Sequence, residues 1–273
     1  MKKCILVLAI VLSSVALFAQ GVNFQELTLK EACAKAKAEN KFVFIDCYTD
    51  WCGPCRLMTE EIFPMKEMGD YFNPKYICIK ANAEKGEEGP AIKEKFGIKA
   101  YPTFVILNND GNLIHMFAGG VLGLEFIDKV EESFNPELAF GELQKRYNAG
   151  ERSKKLTSSY LQALQHTYTT NVGPLIEEFA NSLSDDELIC EECLFLFDEH
   201  ARLGSSREKF LTQHVEKFRE VVGQDKVDQI LNRKYEAYYC GILGKQMAAT
   251  TTDVEQVNKQ LEALHLTGVT SLP

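Results

Sequence analysis

The segment Trp51–Cys55 contains two cysteines separated by Gly-Pro. Cysteines at this spacing can close a small disulfide ring without unwinding a helix. The apolar run before the segment leads into Asp46, a carboxylate that could take and return the proton moved in thiol chemistry. A lone pair at this spacing is also compatible with half a zinc site. The preceding strand, the aspartate and the later segment Tyr101–Thr103 together favour thiol–disulfide exchange instead.

The residues from about 24 to 134 alternate between helix and strand patterns. A capping box, Thr28-Leu-Lys-Glu31, predicts the start of a first helix. A second helix is predicted from the cysteine segment through Ile62. Strands are expected where apolar runs are bounded by turn residues, and Asn108–Gly111 is a strong hairpin signal. The predicted strands are Phe42–Tyr48, Tyr76–Lys80, Thr103–Leu107 and Leu113–Phe117, with further helices at Ala91–Phe96 and Leu124–Phe134.

Residues 24–134 resemble a thioredoxin domain. The resemblance is carried by a few positions: Asp46, Trp51–Cys55, Lys80 at the end of the expected central strand, Pro102, and Gly119-Gly120. The resemblance implies an α/β thioredoxin fold, a mixed central sheet flanked by helices.

The stretch Arg56–Tyr71 is more similar to the exported branch of the family. That branch includes the C-terminal domain of DsbD-type transmembrane reductases. Tyr48 departs from the pattern of many thioredoxins, which carry a second tryptophan there. The change should affect substrate fit more than chemistry.

The two cysteines are predicted to have different roles in the reaction. Cys52 is expected at a helix N-terminus, where free backbone N–H groups favour a thiolate, so it is the predicted nucleophile. Cys55, one turn further in, would be more buried and would resolve the mixed disulfide by forming the Cys52–Cys55 disulfide. Pro54 suits the first helical turn because its missing N–H is not needed there.

Asp46 is predicted to be the proton acceptor for Cys55. Its strand context implies burial, which raises the proton affinity of a carboxyl group. Lys80 could pair with Asp46 and reduce that effect. The alternative for these two residues is a purely structural ion pair.

Three further residues are predicted to bind substrate. By resemblance, the bond before Pro102 is cis and the proline faces the disulfide. Tyr101 would then offer backbone groups for strand-like pairing with a substrate. Trp51 would shield the site and contact the substrate, with a packing role as the alternative.

The first 20 residues have the pattern of a secretory signal peptide. Lys2 and Lys3 precede an apolar run, Ile5–Ala19, which is short for a membrane span. Cleavage near Ala19 or Gln20 would give an exported, periplasmic protein; the alternative is a retained anchor. The formal net charge of −9 argues against nucleic acid as a partner.

Beyond Asn135-Pro136 the strand patterns stop and helical periods take over. The predicted organisation is a signal peptide over 1–20, a thioredoxin-like domain over 21–135 and an all-α domain over 136–273. Tetratricopeptide-like packing of the helices is possible, although no signature indicates it.

A second cysteine pair, Cys190-Glu-Glu-Cys193, lies in the helical region. Counting from a helix cap at Ser184, both cysteines are expected within one continuous helix, too far apart at Cβ for a disulfide. They are predicted to be reduced, slowly reactive and buried; a second redox centre or a metal half-site is the alternative. Cys33, Cys47, Cys78 and Cys240 are expected in the core. No metal site or cofactor is predicted.

The sequence therefore predicts an exported thiol–disulfide oxidoreductase that contributes to cell redox homeostasis. Its substrates would be proteins that contain disulfides. The resemblance implies a membrane electron donor of the DsbD type. The competing hypothesis is a non-catalytic adaptor, in which the helical domain recognises a partner and the disulfide between Cys52 and Cys55 is structural.

Overall fold

The computed structural model describes residues 21–243 and 251–266. The chain divides into two compact units, with the boundary between Asn135 and Pro136. We call them the first unit and the second unit. The predicted signal peptide, residues 1–20, lies outside the described residues. Within the two described ranges, every helix is too short or too polar to cross a membrane.

The first unit combines a four-stranded sheet with helices. The helices are α1 (Leu29–Glu39), α2 (Gly53–Leu57), α3 (Lys66–Lys75), α4 (Glu88–Phe96) and α5 (Glu125–Glu131), with a π-helical turn at Met58–Ile62 and a 3₁₀ turn at Glu132–Phe134. The strands are β1 (Phe42–Tyr48), β2 (Tyr76–Asn82), β3 (Thr103–Leu107) and β4 (Leu113–Ala118).

The sheet is mixed, with strand order β2-β1-β3-β4. Strand β1 pairs parallel with β2 and antiparallel with β3, and β3 and β4 form an antiparallel hairpin. This arrangement confirms the predicted thioredoxin fold. The placement of Lys80 on a central strand is wrong, because β2 is an outer strand of the four. A single parallel bridge from Phe24 to Cys78 covers part of its free edge.

The segment after the cysteines contains one helix more than predicted. The predicted helix through Ile62 forms as α2 followed by the π-helical turn. The following helix, α3, was not predicted because its sequence carries Gly69 and Pro74, which both disfavour helix. Pro74 lies in the last turn of α3, and burial of Met68 and Phe72 anchors the helix to the core.

An aromatic cluster fills the space between the sheet and its helices. Phe44 of β1 lies 4.7 Å from Phe72 and 5.8 Å from Phe104 between ring centroids. Phe126 of α5 packs edge-on against Phe104 at 4.8 Å. All four rings are fully buried. The cluster therefore fixes the strand that carries Asp46 and leads to the cysteines.

The described part of the second unit contains helices and no strand, as predicted. Its α-helices are α6 (Phe140–Asn148), α7 (Lys154–Thr167), α8 (Gly173–Asn181), α9 (Asp185–Leu188), α10 (Leu194–Asp198), α11 (Ser206–Gln213), α12 (Val215–Val222), α13 (Gln224–Leu243) and α14 (Thr251–Ala263).

The predicted continuous helix through Cys190 and Cys193 is wrong. The cap at Ser184 forms, with Glu187 accepting a hydrogen bond from the Ser184 N–H at 2.9 Å. However, α9 ends at Leu188, and Cys190 is fully extended (φ −156°, ψ 167°) before a 3₁₀ turn at Glu191–Cys193. The core assignment of Cys240 is also wrong, since that residue is exposed.

Replacing Phe44 with alanine should destabilise the first unit by about 3–5 kcal/mol, because the truncation leaves a cavity in the aromatic cluster. Denaturant unfolding followed through Trp51, the single tryptophan of the chain, reports on this unit. Leu122→Ala is the control, since Leu122 is 59% exposed and its loss should change stability little. Equal effects of the two variants would contradict the assigned core.

Candidate active site

The two cysteines of the first unit are joined by a disulfide at the start of α2. Their Cα atoms are 5.3 Å apart. Cys52 is the N-cap residue of α2, and its Sγ accepts a hydrogen bond from the Cys55 N–H at 3.1 Å. The same N–H would stabilise a thiolate at Cys52 after reduction, because helix N-terminal amides favour negative charge.

Exposure does not distinguish the two sulfur-bearing residues as expected. Cys52 is 5% exposed and Cys55 is 3% exposed. Cys55 is thus only slightly the more buried of the two in this disulfide-bonded form. The difference between the cysteines lies in position, since Cys52 caps the helix and Cys55 lies within it.

Asp46 is fully buried in β1. The parallel register of β1 and β2 places it directly beside Lys80, and Nζ of Lys80 lies 3.3 Å from Oδ2. Neither carboxyl oxygen makes a hydrogen bond of ordinary geometry. Burial raises the pKa of Asp46 from 3.8 to about 6, with Lys80 opposing part of the rise. The group can therefore gain and lose a proton near neutral pH.

Lys80 connects this carboxyl group to the helix that carries the cysteines. Its Nζ donates a hydrogen bond to Oγ1 of Thr59 at 2.6 Å. Thr59 lies in the π-helical turn, four residues after Cys55. The ammonium group also lies 5.3 Å from the centre of the Tyr48 ring. The predicted contact between Lys80 and Asp46 thus exists, within a larger polar arrangement.

Trp51 is the most prominent side chain beside the disulfide, with 69% of its surface exposed. Its Nε1 donates a hydrogen bond to Glu84 at 2.9 Å. Its ring packs edge-on against Tyr101, with 5.8 Å between centroids. A large indole held in place yet exposed can contact an incoming polypeptide.

The segment around Pro102 lies close to the same site. The Tyr101–Pro102 peptide bond is cis. The carbonyl of Pro102 accepts a hydrogen bond from the Gly119 N–H at 2.8 Å. A side-chain carbon at Gly120 would lie 3.5 Å from Cβ of Pro54. The cysteine segment, the cis-proline segment and the glycine pair therefore converge, as the family resemblance implies.

Two contributing residues were not identified from the sequence. Thr59 and Glu84 make the hydrogen bonds that hold Lys80 and Trp51. Each is an ordinary polar residue in a segment rich in polar residues, so no spacing distinguishes it. Only the fold brings them to the site.

The other cysteines within residues 21–135 are not arranged for exchange. Cys47 and Cys78 are completely buried in strands, and burial raises the pKa of both thiols. Cys33 is partly exposed on α1, and burial raises its pKa as well. A thiol with a raised pKa is a poor nucleophile at neutral pH.

Comparisons with known proteins agree with this fold and site. The family model of the thioredoxin-like domain matches residues 29–133. Thioredoxin-1 of Drosophila melanogaster is 32% identical over 82 residues, which are 30% of this chain and 70% of that protein. The chain therefore belongs to the thioredoxin-like family, and the predicted resemblance is confirmed.

Some other relatives are matched over only about half of their length. Thioredoxin-T of Drosophila melanogaster is 32% identical over 30% of this chain and 48% of its own. Among solved structures, a candidate disulphide-isomerase from Bacteroides thetaiotaomicron is 35% identical, with a TM-score of 0.39. The match covers 42% of this chain and 95% of that one.

Asp46→Asn should stabilise the oxidised first unit at pH 8 by up to about 3 kcal/mol, because the variant avoids burying an ionised carboxylate. Asp46 binds its proton more tightly when folded, so its contribution to stability is complete below pH 3.8 and is lost as pH rises through about 6. The gain from asparagine should therefore shrink as pH falls through this range. Denaturant unfolding at several pH values measures it.

Asp50→Asn is the matched control, because Asp50 is an exposed carboxylate that pairs with Lys85 in the same unit. The hydrogen bond from Lys85 lowers the pKa of Asp50. The contribution of Asp50 to stability is therefore lost only as pH falls below the ordinary pKa of an aspartate. The difference in unfolding free energy between Asp50→Asn and the wild type should therefore stay constant across the pH range in which Asp46 titrates. A pH-independent effect of Asp46→Asn would contradict the raised pKa.

Proposed function

We propose that the protein is an exported thiol–disulfide oxidoreductase that reduces or exchanges disulfides in protein substrates. The observation that carries the proposal is the Cys52–Cys55 disulfide at the start of a helix, in a unit whose buried Asp46 has its pKa raised to about 6. A disulfide that only braced the fold would have no use for a nearby group that titrates close to neutral pH. The adaptor hypothesis leaves that feature unexplained.

The proposed reaction has two exchanges. The Cys52 thiolate attacks one sulfur of a substrate disulfide; that S–S bond breaks, and the other substrate sulfur leaves as a thiolate and is protonated. Cys55 then loses its proton to the Asp46 carboxylate and attacks Sγ of Cys52. The second substrate thiolate leaves, and the enzyme disulfide seen in the structure is restored. Two electrons pass from the enzyme to the substrate.

The surroundings of the disulfide support a polypeptide substrate. Trp51 offers an exposed aromatic face, and Tyr101 supports it from the side. Pro102 follows Tyr101 at the start of β3, where an extended substrate segment could lie against the chain. Such a site would select for accessible backbone around the disulfide more than for particular side chains.

The direction of electron flow is proposed from the sequence. Gly-Pro between the cysteines is similar to reducing thioredoxins. The leader-like residues 1–20 support export to an oxidising compartment, where a reductase needs a source of electrons. A membrane electron donor of the DsbD type would fill that role by reducing the Cys52–Cys55 disulfide after each turnover.

Reduction of insulin by dithiothreitol, followed by turbidity, tests the proposal. The wild-type protein should accelerate the reaction. Cys52→Ser should abolish the acceleration, because it removes the attacking sulfur. Cys55→Ser should lose turnover but accumulate mixed disulfides through Cys52, which are visible on non-reducing gels.

Cys240→Ser is the control, because it removes an exposed thiol of the second unit and should leave turnover unchanged. Absence of acceleration by the folded wild-type protein would favour the adaptor hypothesis. The assigned roles would be reversed if the Cys52→Ser variant formed adducts through Cys55 and the Cys55→Ser variant formed none through Cys52.

A further inference from the structure

The turn between α9 and α10 carries the two cysteines of the second unit. In a continued helix, the carbonyl of Glu187 would accept a hydrogen bond from the Glu191 N–H. Instead, it accepts one from Nζ of Lys154 at 3.1 Å. The same carbonyl oxygen also accepts hydrogen bonds from the thiols of Cys190 and Cys193, with S···O distances of 3.4 and 3.8 Å. The helix has ended at Leu188, and both sulfurs lie within hydrogen-bond distance of one oxygen atom.

This local geometry is similar to that of the Cys52–Cys55 disulfide. In each pair the first cysteine precedes a helical turn in an extended conformation, and the second follows three residues later within that turn. On one regular helix, the Cβ atoms of these two cysteines would be too far apart for a disulfide. That limit does not apply here, because Cys190 lies outside the helix. Both thiols are free in this structure.

The two thiols differ in accessibility. Cys190 is partly exposed, whereas Cys193 has no exposed surface. Burial raises the pKa of Cys193 to about 12, and the neighbouring Cys190 adds to the rise. The thiol of Cys190 and Nζ of Lys154 both donate to the Glu187 carbonyl, so the cation lies beside this thiol. The accessible thiol, Cys190, is therefore the one placed to attack an incoming disulfide. Cys193 has a raised pKa, but it needs to attack only the adjacent Cys190 sulfur, and this proximity offsets its small thiolate fraction.

Contacts with neighbouring helices hold the turn in place. Ser158 of α7 donates a hydrogen bond to the carbonyl of Glu192. Glu191 forms an ion pair with Lys226 of α13. These contacts fix both residues that separate the cysteines. Among the described residues, no group of three or more His, Cys, Asp or Glu could hold a metal ion.

We propose that Cys190 and Cys193 form a second dithiol–disulfide couple, which exchanges with disulfides independently of the first. The Cys190 thiolate attacks a sulfur of an incoming disulfide, whose S–S bond breaks as one thiolate leaves and is protonated. Cys193 then attacks Sγ of Cys190, the mixed S–S bond breaks, and the proton of Cys193 passes to the thiolate that leaves, which gives the second thiol. The dithiol is oxidised by two electrons, and the incoming disulfide is reduced to two thiols.

The test uses the full chain with Cys52 and Cys55 both replaced by serine, so that its result does not depend on the proposed function. This protein is equilibrated with mixtures of reduced and oxidised glutathione, quenched with acid, alkylated and analysed by peptide mass spectrometry. The peptide with Cys190 and Cys193 should lose a pair of hydrogen atoms as oxidised glutathione increases. Dithiothreitol should reverse the change.

Single variants in the same background separate the roles of the two thiols. Cys193→Ser should trap glutathione on Cys190, whereas Cys190→Ser should leave Cys193 unmodified because it is buried. Cys240 is an internal control, an exposed thiol that should acquire only a glutathione adduct. Circular dichroism of each variant verifies that it is folded. Free thiols at both positions in excess oxidised glutathione, or a stable adduct on Cys190 while Cys193 is present, would overturn the proposal.

Discussion

The burial of one carboxyl group, that of Asp46, is the constraint on which the site depends. A buried carboxylate is costly unless it is neutralised or paired. The chain meets this cost through the register of two parallel strands, which sets Lys80 beside Asp46. The pairing is incomplete, so the pKa stays raised, at about 6. The aromatic cluster around Phe44 thus fixes the strand, and the strand fixes the position of this titratable carboxyl group.

The surface around the disulfide depends on loops more than on the sheet. Trp51 follows β1, Tyr101 precedes β3, and Gly119 follows β4. These segments meet because the hairpin β3–β4 returns the chain to the end of the sheet where α2 begins. The glycine pair lies close to the cysteine segment, since a Cβ at Gly120 would be in ordinary van der Waals contact with Pro54. A rigid sheet and close-set loops leave the indole of Trp51 exposed beside the disulfide.

Much of the first unit could be predicted from the sequence, because its signals are local. The capping box, the hairpin turn and the cysteine segment each specify their own structure. Non-local effects were missed: Lys80 was placed on a central strand, although β2 is an outer one, and Thr59 and Glu84 carry no local signal. Cys190 was placed in a helix because the cap at Ser184 is real. The helix ends early, at Leu188, and the Glu187 carbonyl pairs with Lys154, a residue distant in sequence that no local pattern indicates.

The most direct measurement of the central claim separates substrate capture from substrate release in Asp46→Asn. Stopped-flow fluorescence of Trp51 with a model disulfide follows both steps, and a Cys55→Ser background isolates capture. If Asp46 accepts the proton of Cys55, release should slow by at least about tenfold while capture is nearly unchanged. Asp50→Asn should alter neither step. Equal slowing of both steps, or unchanged release, would contradict the account and leave Asp46 with a structural role only.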